Sequence, residues 1–348
     1  MNQSLLGKGI YFRRMSPTLV LVIILIYFAV LMLVGHLTSK GANNSAFFVG
    51  EKRSPWYIVA FGMIGTSLSG VTFISVPGWV ASTQFGYMQM VLGYLLGYTF
   101  IALVLMPLYY RLNLTSIYTY LKTRFGVYSY RTGAWFFLLS RTIGAAFRLY
   151  LVAGVLQLTM FDSWGVPFWV TVLATILLIW LYTYKGGIKT IIWTDTLQTL
   201  FMLMAVGLTV MIIGQELNLS ASQFISTVRE SDYSQIFFFD DPASGSYFWK
   251  QFFTGAFISI VMTGLDQDMM QKNLSCRNIG DAQKNMFSFS IVLVAVNLVF
   301  LSLGALLYIF AETKGIEIPV KGDDLYPILA TQGHLPIIVG VVFILGLI

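Results

Sequence analysis

An all-α, polytopic membrane protein is the fold class this chain predicts, and three observations predict it. Of its 348 residues, 57% are hydrophobic and only 10% are charged, whereas a soluble domain carries about 25% charged residues. The apolar residues gather in runs of about 20, the length of helix that crosses about 30 Å of hydrocarbon. Aromatic side chains such as Trp56, Tyr57, Tyr109, Tyr110, Trp164 and Trp169 fall at the ends of those runs, as an interfacial belt requires.

After an N-terminal tail over 1–16, the runs lie near 17–36, 55–80, 87–110, 132–160, 167–184, 190–214, 248–270 and 285–311. They predict eight complete spans. A ninth starts at Leu335, and its 14 residues to Ile348 rise about 21 Å as helix, so the chain is expected to end inside the membrane. The segments 37–54, 111–131, 185–189 and 271–284 together hold 12 Lys and Arg residues, whereas 81–86, 161–166, 215–247 and 312–334 hold only Arg229, Lys314 and Lys321. The positive-inside rule makes the first set cytoplasmic. The long acidic segment with Glu216, Glu230, Asp232, Asp240 and Asp241 then faces outward. The same topology puts Lys8, Arg13 and Arg14 outside, a conflict that a start at Met15 would remove. A cleaved signal peptide is not expected, because the first apolar run is long and no small-residue cleavage pattern follows it.

The net charge of +6 is spread through short segments without a basic stripe, which argues against nucleic acid as a partner and for a topology signal. Cys276 stands alone, and His36 and His334 are the only histidines. No metal-ligand spacing, phosphate-cradling loop or nucleophile–base pair is visible, and an enzyme is not expected.

Polar groups inside the apolar runs mark the candidate sites. Asp195 sits in Ile191–Gln198, the opening turns of the run that continues through Thr199–Gly214; an acid in hydrocarbon is costly and is by default a functional residue. The second run concentrates Gly65, Gly70, Thr66, Ser67, Ser69 and Thr72 near its middle. Two readings stand for it: an unwound helix that turns carbonyls and hydroxyls into a polar cavity, or small residues that let helices pack closely. In the seventh run Thr263-Gly264-Leu265-Asp266-Gln267-Asp268 places glycine and two acids at the inner end. Those acids point to different helix faces, so they do not form an acid/base pair. Asp268 suits loop anchoring as well as ion binding, and Asp266 lies deeper. Arg141 and Arg148 are seven residues apart on one face of the fourth run. A guanidinium there needs a carboxylate, carbonyls or water, and it reads either as an anchor for an anionic substrate or as half of a structural ion pair.

Ser54-Pro55-Trp56-Tyr57, the Gly65–Thr72 stretch, Tyr184-Lys185-Gly186-Gly187-Ile188, Trp193-Thr194-Asp195-Thr196-Leu197-Gln198 and Asp266–Lys272 together resemble the sodium:solute symporter family. The resemblance covers nearly the whole chain and rests on the order of the motifs. It implies a LeuT-type inverted-repeat helical bundle: an extra helix over 17–36, a first repeat over 55–214 and a partial second repeat over 248–348, within a membrane domain at 17–348. It implies Na+ as the coupling ion, with sodium ligands at the carbonyls of Gly65 and Leu68 and at Asp195 on the cytoplasmic side. The family's hydroxyl ligands belong to the helix that starts here at Leu335 and would lie beyond Ile348. Expected substrate-facing residues are Thr66, Ser67, Ser69, Thr72, Arg141, Ser259 and Met262. Thr72 and Met262 stand where sugar-carrying members have other side chains, which disfavours sugar; Ser69–Phe73 and Gln271–Arg277 look closer to the branch that carries monocarboxylates, iodide and vitamins. The resemblance therefore implies sodium-coupled import of a small solute, with an organic anion favoured, across the plasma membrane by alternating access. Membrane lipid is the surrounding medium, and the oligomeric state is left open. A transporter-like sensor module and an inactive fragment are the competing expectations.

Overall fold

The computed structural model describes residues 13–39, 56–114, 116–183 and 187–347. The described elements are all helices: α1 (Pro17–Ser39), α2 (Trp56–Ser67), α3 (Gly70–Gly78), α4 (Tyr87–Phe100, carried on through a π-helical turn to Arg111), α5 (Ile117–Phe125), α6 (Val127–Leu156), α7 (Phe168–Thr183), α8 (Gly187–Glu216), α9 (Ala221–Glu230), α10 (Phe248–Ser259), α11 (Gln267–Leu274), α12 (Ile279–Lys314), α13 (Leu325–Thr331) and α14 (Ile337–Leu347). Ser54, Pro55 and the Tyr184-Lys185-Gly186 motif lie outside the described residues.

Among the described residues, five helices are long and apolar enough to cross a membrane, and α2 with α3 makes a sixth, bent by 54° at its break. The glycine- and hydroxyl-rich middle of the second apolar run is thus a real interruption. The seventh apolar run differs from the expected continuous span over 248–270. There α10 passes into a π-helical turn over Ile260–Gly264, Leu265 leaves helical geometry, and Asp266 caps α11 by accepting the Met269 N–H at 3.0 Å. An aspartate with extended backbone ahead of three free N–H groups is a strong helix start, and it ends the preceding helix although the hydropathy continues. The helices α7 and α14 are apolar but shorter than a full span.

The ends of the helices sort as the charge pattern predicts. At one end, Phe85 N–H donates to Gln235 O at 3.0 Å, Gln84 Nε2 donates to Asp232 O at 2.8 Å, Tyr233 donates to Glu312 at 2.6 Å, and Lys314 pairs with Glu216 at 3.0 Å. Segments 81–86, 215–247 and 312–334 therefore share that end. Met15 N–H donates to Thr331 O at 2.9 Å there, and Gly333 lies against the backbone of Arg13 and Arg14. The N-terminal arginines remain with the segments expected to face outward. At the other end, Tyr110 bonds the carbonyls of Asn273 and Cys276, both at 3.3 Å.

Close backbone approach holds the bundle. A side chain at Gly93 would run into the Phe252 carbonyl, one at Gly97 into Ser259 and the Ala256 carbonyl, and one at Gly255 into the Met90 carbonyl. In lipid, where apolar burial does not separate helix from solvent, such small-residue seams give dispersion contact its best geometry. Replacing Gly255 by alanine is expected to destabilise the protein by about 1–3 kcal/mol through overpacking. The control Gly144→Ala, where a Cβ meets nothing within 4 Å, is expected to leave the thermal unfolding midpoint in detergent unchanged or slightly raised.

Candidate functional site

The break between α2 and α3 lies at Leu68–Ser69, where Ser69 is extended (φ −80°, ψ 165°). The last four carbonyls of a helix have no partner within it, so the turn that holds Gly65, Thr66 and Ser67 carries oxygen available to other groups. Gly65 lets this turn meet α8: a Cβ there would strike Thr199 Oγ1 and the Asp195 backbone carbonyl. Thr199 in turn bonds that carbonyl at 2.6 Å. Gly70, just past the break, faces the Leu347 carbonyl of α14.

This contact places the side chain of Asp195 beside the break. Its Oδ2 accepts from Thr66 Oγ1 at 3.1 Å, while the same hydroxyl lies 2.9 Å from the Gly62 carbonyl. Lys272, on α11, donates to Thr66 Oγ1 at 2.5 Å and stands 3.5 Å from Asp195 Oδ2 with its side chain only 4% exposed. The sequence reading counted Lys272 among the cytoplasmic segment charges and gave it no partner. It lies at the end of an apolar run, but the turn of α11 directs it inward, and a buried ammonium requires a carboxylate. Asp195 therefore has a protein cation beside it as well as the expected water-facing end of its helix. Two polar neighbours reinforce α11: Asn273 Nδ2 bonds Met269 O at 3.1 Å, and Asn285 Nδ2 bonds Asn273 Oδ1 at 2.6 Å.

The second break carries the second ion pair. Asp266 uses Oδ1 to cap α11 and Oδ2 to hold Arg141 of α6. The structure therefore contains the ion pair that was one of the two readings of Arg141. The carbonyl of Gly264, freed by the same break, accepts from Tyr109 at 3.2 Å.

Between the breaks lies a cavity of about 140 Å³. Of the residues expected to face substrate, Thr66, Ser67, Thr72, Arg141, Ser259 and Met262 line it, and so does Leu68. Ser69, Gly65 and Asp195 do not line it; Asp195 reaches it through Thr66. Arg148, Asp268, Tyr87, Tyr94, Tyr98 and Asn297 also contribute to its wall. Lys272 and Asn297 escaped the sequence reading. An Asn within the apolar run 285–311 was a visible signal for the second, since an amide in hydrocarbon must find partners. The inward turn of Lys272 had no counterpart in the one-dimensional pattern.

Residues 47–345 match the model of the sodium:solute symporter family. The chain belongs to this family. Its resemblance to the family, read from the motifs, is thereby borne out. The chain is 29% identical over 247 residues to the sodium/iodide cotransporter of Homo sapiens, covering 69% of this chain and 37% of that protein. With sodium-coupled monocarboxylate transporter 2 of Danio rerio it shares 30% identity over 249 residues, 70% of this chain and 38% of that one. With the sodium/sialic acid symporter SiaT of Proteus mirabilis it shares 24% over 327 residues, 90% and 61% of the two chains. The chain thus spans about two fifths to three fifths of the length of these relatives. The solved structure of a sodium-coupled sialic acid symporter in a substrate-bound, outward-open state superposes with a TM-score of 0.81 at 22% identity, over 94% of this chain and 69% of that one. This likeness establishes the LeuT-type helical bundle of a multi-pass membrane protein for this family member.

The Asp195–Thr66–Lys272 cluster yields a stability test. Removing one partner of a buried charge pair leaves the other uncompensated, so Lys272→Met is expected to cost about 3 kcal/mol. Adding Asp195→Asn to it is expected to recover part of that loss, and a double-mutant cycle on thermal unfolding in detergent measures the coupling.

Proposed function

We propose that the chain forms the core of a sodium-coupled importer of a small solute in the plasma membrane, working by alternating access. The observation that carries this reading is the meeting of two broken helices at one small polar cavity, with a carboxylate and a hydroxyl beside one break. Sodium is a hard cation that prefers oxygen ligands. Under this proposal the carbonyls of Gly65 and Leu68 and the carboxylate of Asp195 contribute ligands on the side facing α8. Thr66, Ser67, Ser69, Thr72, Ser259 and Met262 belong to the substrate path. Arg141 contributes to it with the donors that Asp266 leaves unused, since a guanidinium carries five N–H groups.

The cavity volume supports a small substrate, because pockets for drug-sized ligands run from about 300 Å³ upward. Its two arginines support a small anion, and the sodium-coupled monocarboxylate transporter among the relatives agrees with an organic one. Each net positive charge moved inward through 100 mV supplies about 2.3 kcal/mol; one sodium with a monovalent anion is electroneutral and draws on the sodium concentration gradient alone, so a second sodium is what adds this electrical contribution. Coupling arises if sodium and substrate both favour the same conformational state.

Reconstituted protein is expected to take up a labelled short-chain carboxylate when an inward sodium gradient is imposed, and to lose that uptake when potassium replaces sodium. Asp195→Asn is expected to raise the sodium concentration for half-maximal uptake about tenfold or more, the loss of one charged ligand being worth about 1.5–3 kcal/mol. Uptake that is indifferent to sodium would overturn the proposal.

A further inference from the structure

Among the described residues, one fully buried polar atom belonging to the cavity wall has no hydrogen-bond partner. Tyr87 and Tyr94 bond each other through their hydroxyls at 3.1 Å. Ser259 donates to the Ala256 carbonyl at 2.9 Å. Asn297 is different. It lines the cavity and is only 2% exposed. Its Nδ2 donates to the Leu293 carbonyl at 2.8 Å, yet its Oδ1 has no hydrogen-bond partner among the described residues.

The orientation of this amide follows from chemistry. Turning it over would set Oδ1 against the Leu293 carbonyl, acceptor against acceptor, so the atom of this cavity-lining amide left without a partner is the oxygen. A buried carbonyl oxygen without a donor costs about 1–3 kcal/mol, and native proteins leave few such atoms. Leucine or valine would serve packing on α12 at no such cost, as the neighbouring Val294, Val296 and Leu298 do. The oxygen accepts only, so what completes it must be a donor.

We infer that Asn297 is a specificity-determining residue whose Oδ1 accepts a hydrogen bond from a hydroxyl or N–H group of the transported solute. Resting on the proposed small-anion reading, this narrows the substrate to an anion that also carries a donor, such as a short hydroxy-carboxylate. A bare halide or an unsubstituted aliphatic carboxylate lacks the required hydrogen. The arginines on α6 meet the charge, and α12 selects the second group.

The test compares L-lactate with propionate, which differ by one hydroxyl, as competitors of uptake in sodium-containing proteoliposomes of the reconstituted protein. In the unaltered protein, lactate is expected to compete about tenfold better, the ratio that about 1.4 kcal/mol of an otherwise unmet acceptor supplies. In Asn297→Leu the two are expected to become equal because lactate weakens while propionate is retained. Asn297→Ser, which restores an acceptor, is expected to return part of the preference. Because the unaltered protein already supplies one readout, misfolding of a variant leaves the inference exposed to refutation. Equal competition in the unaltered protein, or a Leu variant that weakens both probes alike, would overturn the role of Asn297 while leaving the anion reading intact. If neither probe competes, the anion reading fails and this assignment falls with it.

Discussion

A peptide group has no water to bond in hydrocarbon, so a transmembrane helix can break only where other polar groups take over its partners. Most of the interior of this protein follows from two such breaks. At Leu68–Ser69 the freed turn meets α8 through Gly65 and its hydroxyl Thr66 meets Asp195. At Leu265–Asp266 the Gly264 carbonyl is taken by Tyr109, and the free Met269 N–H in the first turn of α11 is met by the Asp266 side chain. The polar cavity is the space between these two repairs.

The repairs are also joined to each other. Thr66 belongs to the first broken helix, Asp195 to α8, and Lys272 to the short helix that follows the second break. A desolvated ion pair returns little net stability compared with an apolar replacement, so stability alone is a poor reason for such a triad. Its value lies in what it can report. Moving either broken helix lengthens the Lys272–Thr66 contact, and anything that binds to Asp195 competes with the ammonium for the same carboxylate. On the proposed function, this gives a coupling ion a direct electrostatic hold on the second broken helix, the differential contact that any ligand-driven change of state requires.

Hydropathy carries the membrane class, and six of the apolar runs correspond to long helices or to the bent pair because a continuous apolar stretch leaves a spanning helix little alternative. The first break was half legible: Gly65, Thr66, Ser67, Ser69 and Gly70 crowd into six residues, which suits either an unwound helix or close packing, and the bend between α2 and α3 decides for the break. The second was hidden. Gly264 and Asp266 could be seen, but Phe248–Ile260 reads as an unbroken span, and the start of a new helix at Asp266 depends on side-chain capping. The inward turn of Lys272 was hidden for a similar reason: distance along the chain from an apolar run does not tell which way a short helix turns its side chains. The inverted-repeat arrangement is an expectation from the resemblance alone, since a pairing of remote helices leaves no period in the sequence.

Arg141 shows how far one residue's role is set by its neighbours. As an isolated cation it would attract any anion from the cavity. Held by Asp266, it already has its counter-charge, and the carboxylate that supplies it is the same group that starts α11. Arg148 on the cavity wall still favours an anion, and the choice among anions passes to directional donors and acceptors: the unused N–H groups of a planar guanidinium and the unpaired oxygen of Asn297. A site built this way selects by hydrogen-bond pattern, because each group that a wrong solute fails to satisfy is already out of water and cannot recover its partner there.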